Sequence, residues 1–65
     1  MVMINGEVCD AVGMTLSEYL AANGYDSRTI AVERNDEILP KAQYETTVLE
    51  QEDVVEIVRF VGGGK

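Results

Sequence analysis

The chain has 65 residues, 46% apolar and 26% charged, and a formal net charge of −7 from 5 basic and 12 acidic side chains. That composition makes one globular domain near the lower size limit for folding alone, where only about 60% of the unfolded surface is buried, with no room for a carved active-site cavity. An acidic surface repels phosphate backbones and anionic lipid, so no nucleic acid and no membrane is an expected partner, whereas a basic protein surface is.

Histidine is absent, which removes the usual general base near neutral pH and the commonest metal ligand. The single cysteine, Cys9, supports neither an internal disulfide nor a zinc cluster and fits a reducing, cytoplasmic compartment. Its expected role is that of a small apolar strand residue. No apolar run reaches the length of a membrane span. Eight of the acids fall within residues 33–56, on short turns among charged neighbours, and are expected to be solvated rather than paired for acid/base work. Such a chain is expected to have no catalysis of its own.

In chain order, Val2, Met3 and Ile4 form a β-prone run, Asn5 and Gly6 are turn chemistry, and Val8 and Cys9 begin a second extended stretch running to Gly13. Together they predict a hairpin. Thr15 and Glu18 form the capping-box pattern, Met14 and Tyr19 stand at the staple positions, and Gly24 sits where a helix ends. Leu16, Tyr19, Leu20 and Asn23 share one face of this helix, which is about two to three turns long.

Beyond the polar link "YDSR", Ile30 and Val32 alternate with smaller or charged residues as in a strand, Asn35 and Asp36 are turn chemistry, and "EILP" is a short extended piece closed by Pro40. A helical turn is predicted at residues 42–44, an extended "TTVL" after it, then the acidic turn "EQED". The last element, "VVEIVRFV", places Val55, Ile57 and Val61 with Arg59 on one side and Val54, Val58 and Phe60 with Glu56 on the other. Apolar residues on both faces mark a central strand. One helix covers only one face, so the other is left partly bare. The order predicts an α+β chain with a mixed four- to five-stranded sheet packed on one main helix, the β-grasp or ubiquitin-like fold, over residues 1–61.

Residues 62–65 read "GGGK". Glycines in a row contribute no side chain to a core and lose the most entropy on ordering, but a backbone without Cβ passes through a narrow site where other residues clash. Extended, Gly62, Gly63 and Gly64 reach about 10 Å. This outline is compatible with a ubiquitin-like protein modifier and with a plain β-grasp interaction module.

"INGE", "TLSEYLAANG" and "AVERNDEILPKAQYETTVLEQEDVVEIVRFVGGG", in this order and over essentially the whole chain, resemble the ThiS-type sulfur carriers of thiazole and thiamin biosynthesis. The molybdopterin-synthase small subunit, another sulfur carrier, is a more distant relative. The resemblance implies that an E1-like adenylating enzyme (ThiF type) activates the terminal glycine carboxylate with ATP. Sulfide, or a persulfide from a donor such as a cysteine desulfurase whose S–S bond a thiol then cleaves, displaces AMP to leave a thiocarboxylate, and a thiazole synthase (ThiG type) accepts the sulfur. ATP is used by that partner; this chain itself is expected to bind no cofactor and no metal. Gly64 is the expected sulfur-carrying residue, with Gly63 as the alternative, while Gly62, Gly63 and Gly64 thread the partner's active site.

Val58, Phe60 and Val61 are the partner-binding candidates, because an aromatic on the face opposite the helix makes an apolar patch beside the tail. Phe60 is equally compatible with a core position. Arg59 either pairs with a partner's acid or lays its stem over the sheet, the routine behaviour of long basic side chains. Two features depart from the family. Gln51, Glu52 and Asp53 replace an Asp-Gly-Asp-like turn, losing glycine where φ > 0 is wanted. Lys65 either is removed to expose Gly64 or is a harmless extension.

Overall fold

The computed structural model describes residues 1–60. The domain boundary expected at residue 61 and the tail lie outside the described residues. The elements are β1 (Val2–Ile4), β2 (Glu7–Cys9), α1 (Leu16–Ala22), β3 (Ile30–Arg34), β4 (Glu37–Ile38) and β5 (Val54–Arg59), with 3-10 turns at Ser27–Thr29 and Lys41–Gln43. They build one five-stranded sheet in the order β2-β1-β5-β3-β4. Only the β1–β5 pair is parallel. This is the β-grasp arrangement, with β5 central.

Both hairpins turn on two residues in the left-handed region, Asn5 and Gly6 at φ 52° and 83°, and Asn35 and Asp36 at 53° and 70°. Loops of this type match the right-handed twist of the flanking strands. α1 has both of its ends closed. Thr15 Oγ1 accepts from the Glu18 N–H at 3.1 Å, and Glu18 Oε1 accepts from the Thr15 N–H at 2.9 Å. At the other end Gly24, at φ 77°, lets the Gly24 N–H reach the Ala21 carbonyl and the Tyr25 N–H reach the Leu20 carbonyl at 3.0 Å. That pair of bonds is the Schellman closure, which glycine adopts without a Cβ penalty.

Leu16 and Leu20 carry α1 onto the sheet, meeting Val2, Ile4, Ile30, Val32, Val55 and Ile57, with Ala11, Tyr44 and Leu49 closing the sides of the core. Met14, Tyr19, Tyr25, Leu39 and Cys9 pack half-buried around it. Asn23, expected on the helix's inner face, is exposed and caps the helix instead.

Three expectations need correction. β2 stops at Cys9 rather than reaching Gly13, because the chain turns there to bury Ala11 and to bond the Gly13 N–H to the Leu49 carbonyl at 2.9 Å. "TTVL" is no strand but a bridge of Val48 to Thr15, with Leu16 and Leu49 N–H groups donating to the Thr47 and Met14 carbonyls, both at 2.8 Å. Asp53 is not a solvated acid: it is 6% exposed. Its carboxylate accepts from the Glu50 N–H at 2.9 Å, from Arg34 Nε at 3.0 Å and from Asn35 Nδ2 at 3.1 Å. Burial opposes the charge on Asp53, but the bonds from Glu50, Asn35 and Arg34 outweigh it and hold the carboxyl below its ordinary value.

Two predictions follow from these turns. Glu52 stands at φ 71°, a conformation that costs a side-chain-bearing residue about 1–2 kcal/mol. Glu52→Gly should stabilise the domain by about 1 kcal/mol, raising Tm by about 4–8 °C in a chain this small; a lower Tm would refute the strain at this turn. A carboxyl depressed in the folded state contributes stability above its unfolded value near 3.9, and that stability is lost as pH falls through the lower folded value. Wild type should therefore exceed Asp53→Asn by on the order of 2 kcal/mol at pH 7, with the gap closing in the acid limb of a series of urea titrations. A gap independent of pH would remove Asp53 as the titrating anchor.

Candidate functional site

Side chains alternate along β5, so burying Val55 and Ile57 against α1 sends Val54, Glu56, Val58 and Phe60 to the opposite face. Strand register completes that outer face. Met3 lies beside Val54 and opposite Val8, Ala31 is opposite Val58, Glu33 is opposite Glu56, and Ile38 is opposite Glu33. Val58 and Phe60 are 55% and 56% exposed, and Phe60 lines a shallow groove with Ala31, Ile38, Leu39 and Pro40. Phe60 is thus an exposed aromatic at the tail end of the sheet, not a core residue.

Glu33 and Glu56 face each other directly across antiparallel strands, a pairing of like charges that destabilises a sheet. The outer face therefore consists of an apolar area around Met3, Val8 and Val54 and another around Val58 and Phe60, divided by two carboxylates.

β5 is fixed before it delivers this face. Asn5 Oδ1 accepts from the Ile57 N–H at 2.7 Å, and Asn35 Oδ1 accepts from the Val54 N–H at 2.9 Å. At its end, the Phe60 N–H donates to the Thr29 carbonyl at 2.9 Å. Arg59 points to the helix side, with its guanidinium carbon 4.7 Å from the centre of the Tyr25 ring. Sequence reasoning placed both asparagines in turns but missed their bonds to β5, and it missed Tyr25. The asparagines have a readable signal, since each opens a two-residue turn; Tyr25 has none, because the contact joins residues distant in sequence.

Val58 and Phe60 come together on one face. Val61, Gly62, Gly63, Gly64 and Lys65 lie outside the described residues. Cys9 is half-buried against the core, its thiol donating to the Glu7 carbonyl at 3.6 Å. Burial, and next the contact with Cys9, push the Tyr19 hydroxyl above its usual pKa. No group of three or more potential ligands suited to a metal ion occurs among the described residues. No helix among them is long and apolar enough to cross a membrane.

The thiamine biosynthesis protein ThiS from Geobacter metallireducens has the same fold, with a TM-score of 0.76 at 30% identity over 97% of each chain. The sulfur carrier protein ThiS of Bacillus subtilis is 44% identical over 50 residues, 77% of this chain and 76% of its own length. The thiazole synthase of Paramagnetospirillum magneticum is 46% identical over 63 residues, 95% of this chain; the chain spans only 19% of that protein's length. The sequence profile of the ThiS family matches residues 1–64, from the first strand to Gly64. The chain belongs to the ThiS family, the sulfur carriers of thiamine biosynthesis.

Proposed function

We propose that this chain carries sulfur as a thiocarboxylate on its C-terminal glycine, for thiazole formation in thiamin biosynthesis. The observation that carries the reading is the position of Val58 and Phe60. The centrally held strand is followed directly by an exposed aromatic, Phe60, which only Val61 separates from Gly62, Gly63 and Gly64 in sequence. A bare apolar face beside a terminus that must be activated suits a docking handle.

A carboxylate is a poor electrophile until it becomes an acyl phosphate anhydride. An E1-like partner of the ThiF type joins the Gly64 carboxylate to the α-phosphate of ATP and releases pyrophosphate. Gly63 would take this role if the chain were trimmed one residue further. Sulfide then displaces AMP and leaves the thiocarboxylate. A persulfide raised by a cysteine desulfurase forms an acyl persulfide instead, and a thiol cleaves its S–S bond to the same product. The chain is the co-substrate throughout, without catalysis of its own, and ATP is bound by the partner. A reducing cytoplasm keeps Cys9 as a thiol.

A segment similar to this chain forms part of proteins named thiazole synthase, which supports a ThiG-type acceptor. Val58 and Phe60, with Val61, make the contact to these partners. Activation at Gly64 requires a free Gly64 carboxylate, and hence cleavage of the Gly64–Lys65 bond.

The test incubates the chain with its own cell extract, ATP and a sulfur source, followed by intact mass and fragmentation of the tail. Fragmentation separates sulfur on Gly64 from oxidation of any of the three methionines. Loss of Lys65 with sulfur on Gly64 is the expected result; a tail still ending in Lys65 beside an active adenylating enzyme would sink the reading. A second measurement concerns the docking face. Phe60→Ser should change folding stability by no more than about 0.5 kcal/mol yet weaken binding to the adenylating partner about tenfold or more, read by calorimetric titration. Unaltered affinity would take Phe60 out of the interface.

A further inference from the structure

Arg59 is the last residue of β5, and it is held unlike the other cationic side chains among the described residues. Arg28 is bound to Asp26 at 3.0 Å, Arg34 to Asp53 at 3.0 Å, and Lys41 to the carbonyls of Ser27 and Ile30 at 2.7 and 2.6 Å. Arg59 has no carboxylate partner and donates no hydrogen bond among the described residues; its one contact of this kind is the face of Tyr25. In a chain with 12 acids and 5 bases, a cation that rests on a ring instead of an acid keeps its hydrogen-bonding capacity unspent. Stacking orients the planar guanidinium and leaves the N–H groups along its edge open.

Tyr25 is itself fixed. Its N–H makes the closing bond of the helix cap to Leu20 at 3.0 Å, and the ring packs half-buried against the core. Arg59 sits opposite Ile30 and the next residue is tied to Thr29, so the guanidinium has a defined origin. The arrangement is a preformed anion-binding arm at the base of the tail, on the face of the sheet opposite Phe60.

Length decides which anion it meets. From Arg59 to Gly64 are five residues, about 17 Å when extended, so a nucleotide reacting at Gly64 lies beyond the reach of this side chain. The anion must sit where the tail enters the partner. We propose that Arg59, oriented by Tyr25, determines partner specificity by pairing with a carboxylate of the adenylating enzyme at the mouth of the site that takes up the tail. The proposal rests on the adenylation reading above. Tyr25 is a positioning residue in this scheme, and the pair weakens with added salt as partly exposed ion pairs do.

The experiment titrates the chain, recovered from its own cells, into the adenylating enzyme of the same organism at low and high ionic strength. Pyrophosphate exchange and thermal unfolding are measured alongside. Arg59→Gln should raise Kd about tenfold at low salt and distinctly less at high salt. Arg59→Lys, which keeps charge without the planar fork, should fall between the two. Tyr25→Phe should bind as wild type does, whereas Tyr25→Leu should lose part of the affinity, with unfolding showing both still folded. Arg28→Gln, whose cation is already spent on Asp26, should leave Kd unchanged. An Arg59→Gln protein that binds as tightly as wild type, or a loss equal at both salt concentrations, would overturn the ion pair while leaving adenylation standing. Absence of pyrophosphate exchange with wild type would remove the adenylation reading and this proposal with it.

Discussion

Everything in this fold is registered against β5. It is the central strand, paired in parallel with β1 from the N-terminal hairpin on one side and antiparallel with β3 from the middle of the chain on the other. β1 is short, so backbone pairing alone does not finish the job. Side chains supply the remainder, and the same device is used twice: each hairpin turns on an asparagine in the left-handed region whose amide oxygen takes a β5 N–H. Asn and Asp tolerate that backbone region better than other residues with side chains, and an unpaired N–H in a central strand is costly. Turn geometry and strand satisfaction are therefore met by the same residue. Asp53 adds a third tie, joining the start of β5 to Arg34 and Asn35 on the neighbouring hairpin.

With β5 fixed, its period-two alternation divides the molecule into a covered side and an uncovered one. Seven helical residues are enough to cover one face of a small sheet; the chain has no second helix among the described residues for the other. Small size thus has a functional outcome. The sheet keeps an apolar patch uncovered at the end of β5, on the face away from α1.

Local signals were legible in the sequence and tertiary ones were not. The capping box at Thr15 and Glu18 and the glycine at position 24 describe α1 fully, because every partner lies within a turn of the helix. Asn5-Gly6 and Asn35-Asp36 marked both hairpins for the same reason. The end of β2 was misplaced because Ala11 is drawn inward by a core that no window of sequence contains. Asp53 was misread among Glu50, Gln51 and Glu52, all exposed, since only its cross-turn partners distinguish it from them. Phe60 was ambiguous for a related reason: alternation gave its side of the strand, but which side the helix covers depends on the register with β3.

Glu33 and Glu56, side by side in the middle of the uncovered face, have a consequence for the crowded interior of a cell. A bare patch of valine, methionine and phenylalanine is adhesive, and the simplest thing for it to stick to is another copy of itself. A symmetric contact centred on these two residues would bring four carboxylates together as water was squeezed out, which electrostatics forbids without a counter-charge. The two glutamates act as a lock on the face. A surface that sets lysines or arginines against them has the key, and the same face of an identical copy, centred on its own two glutamates, does not.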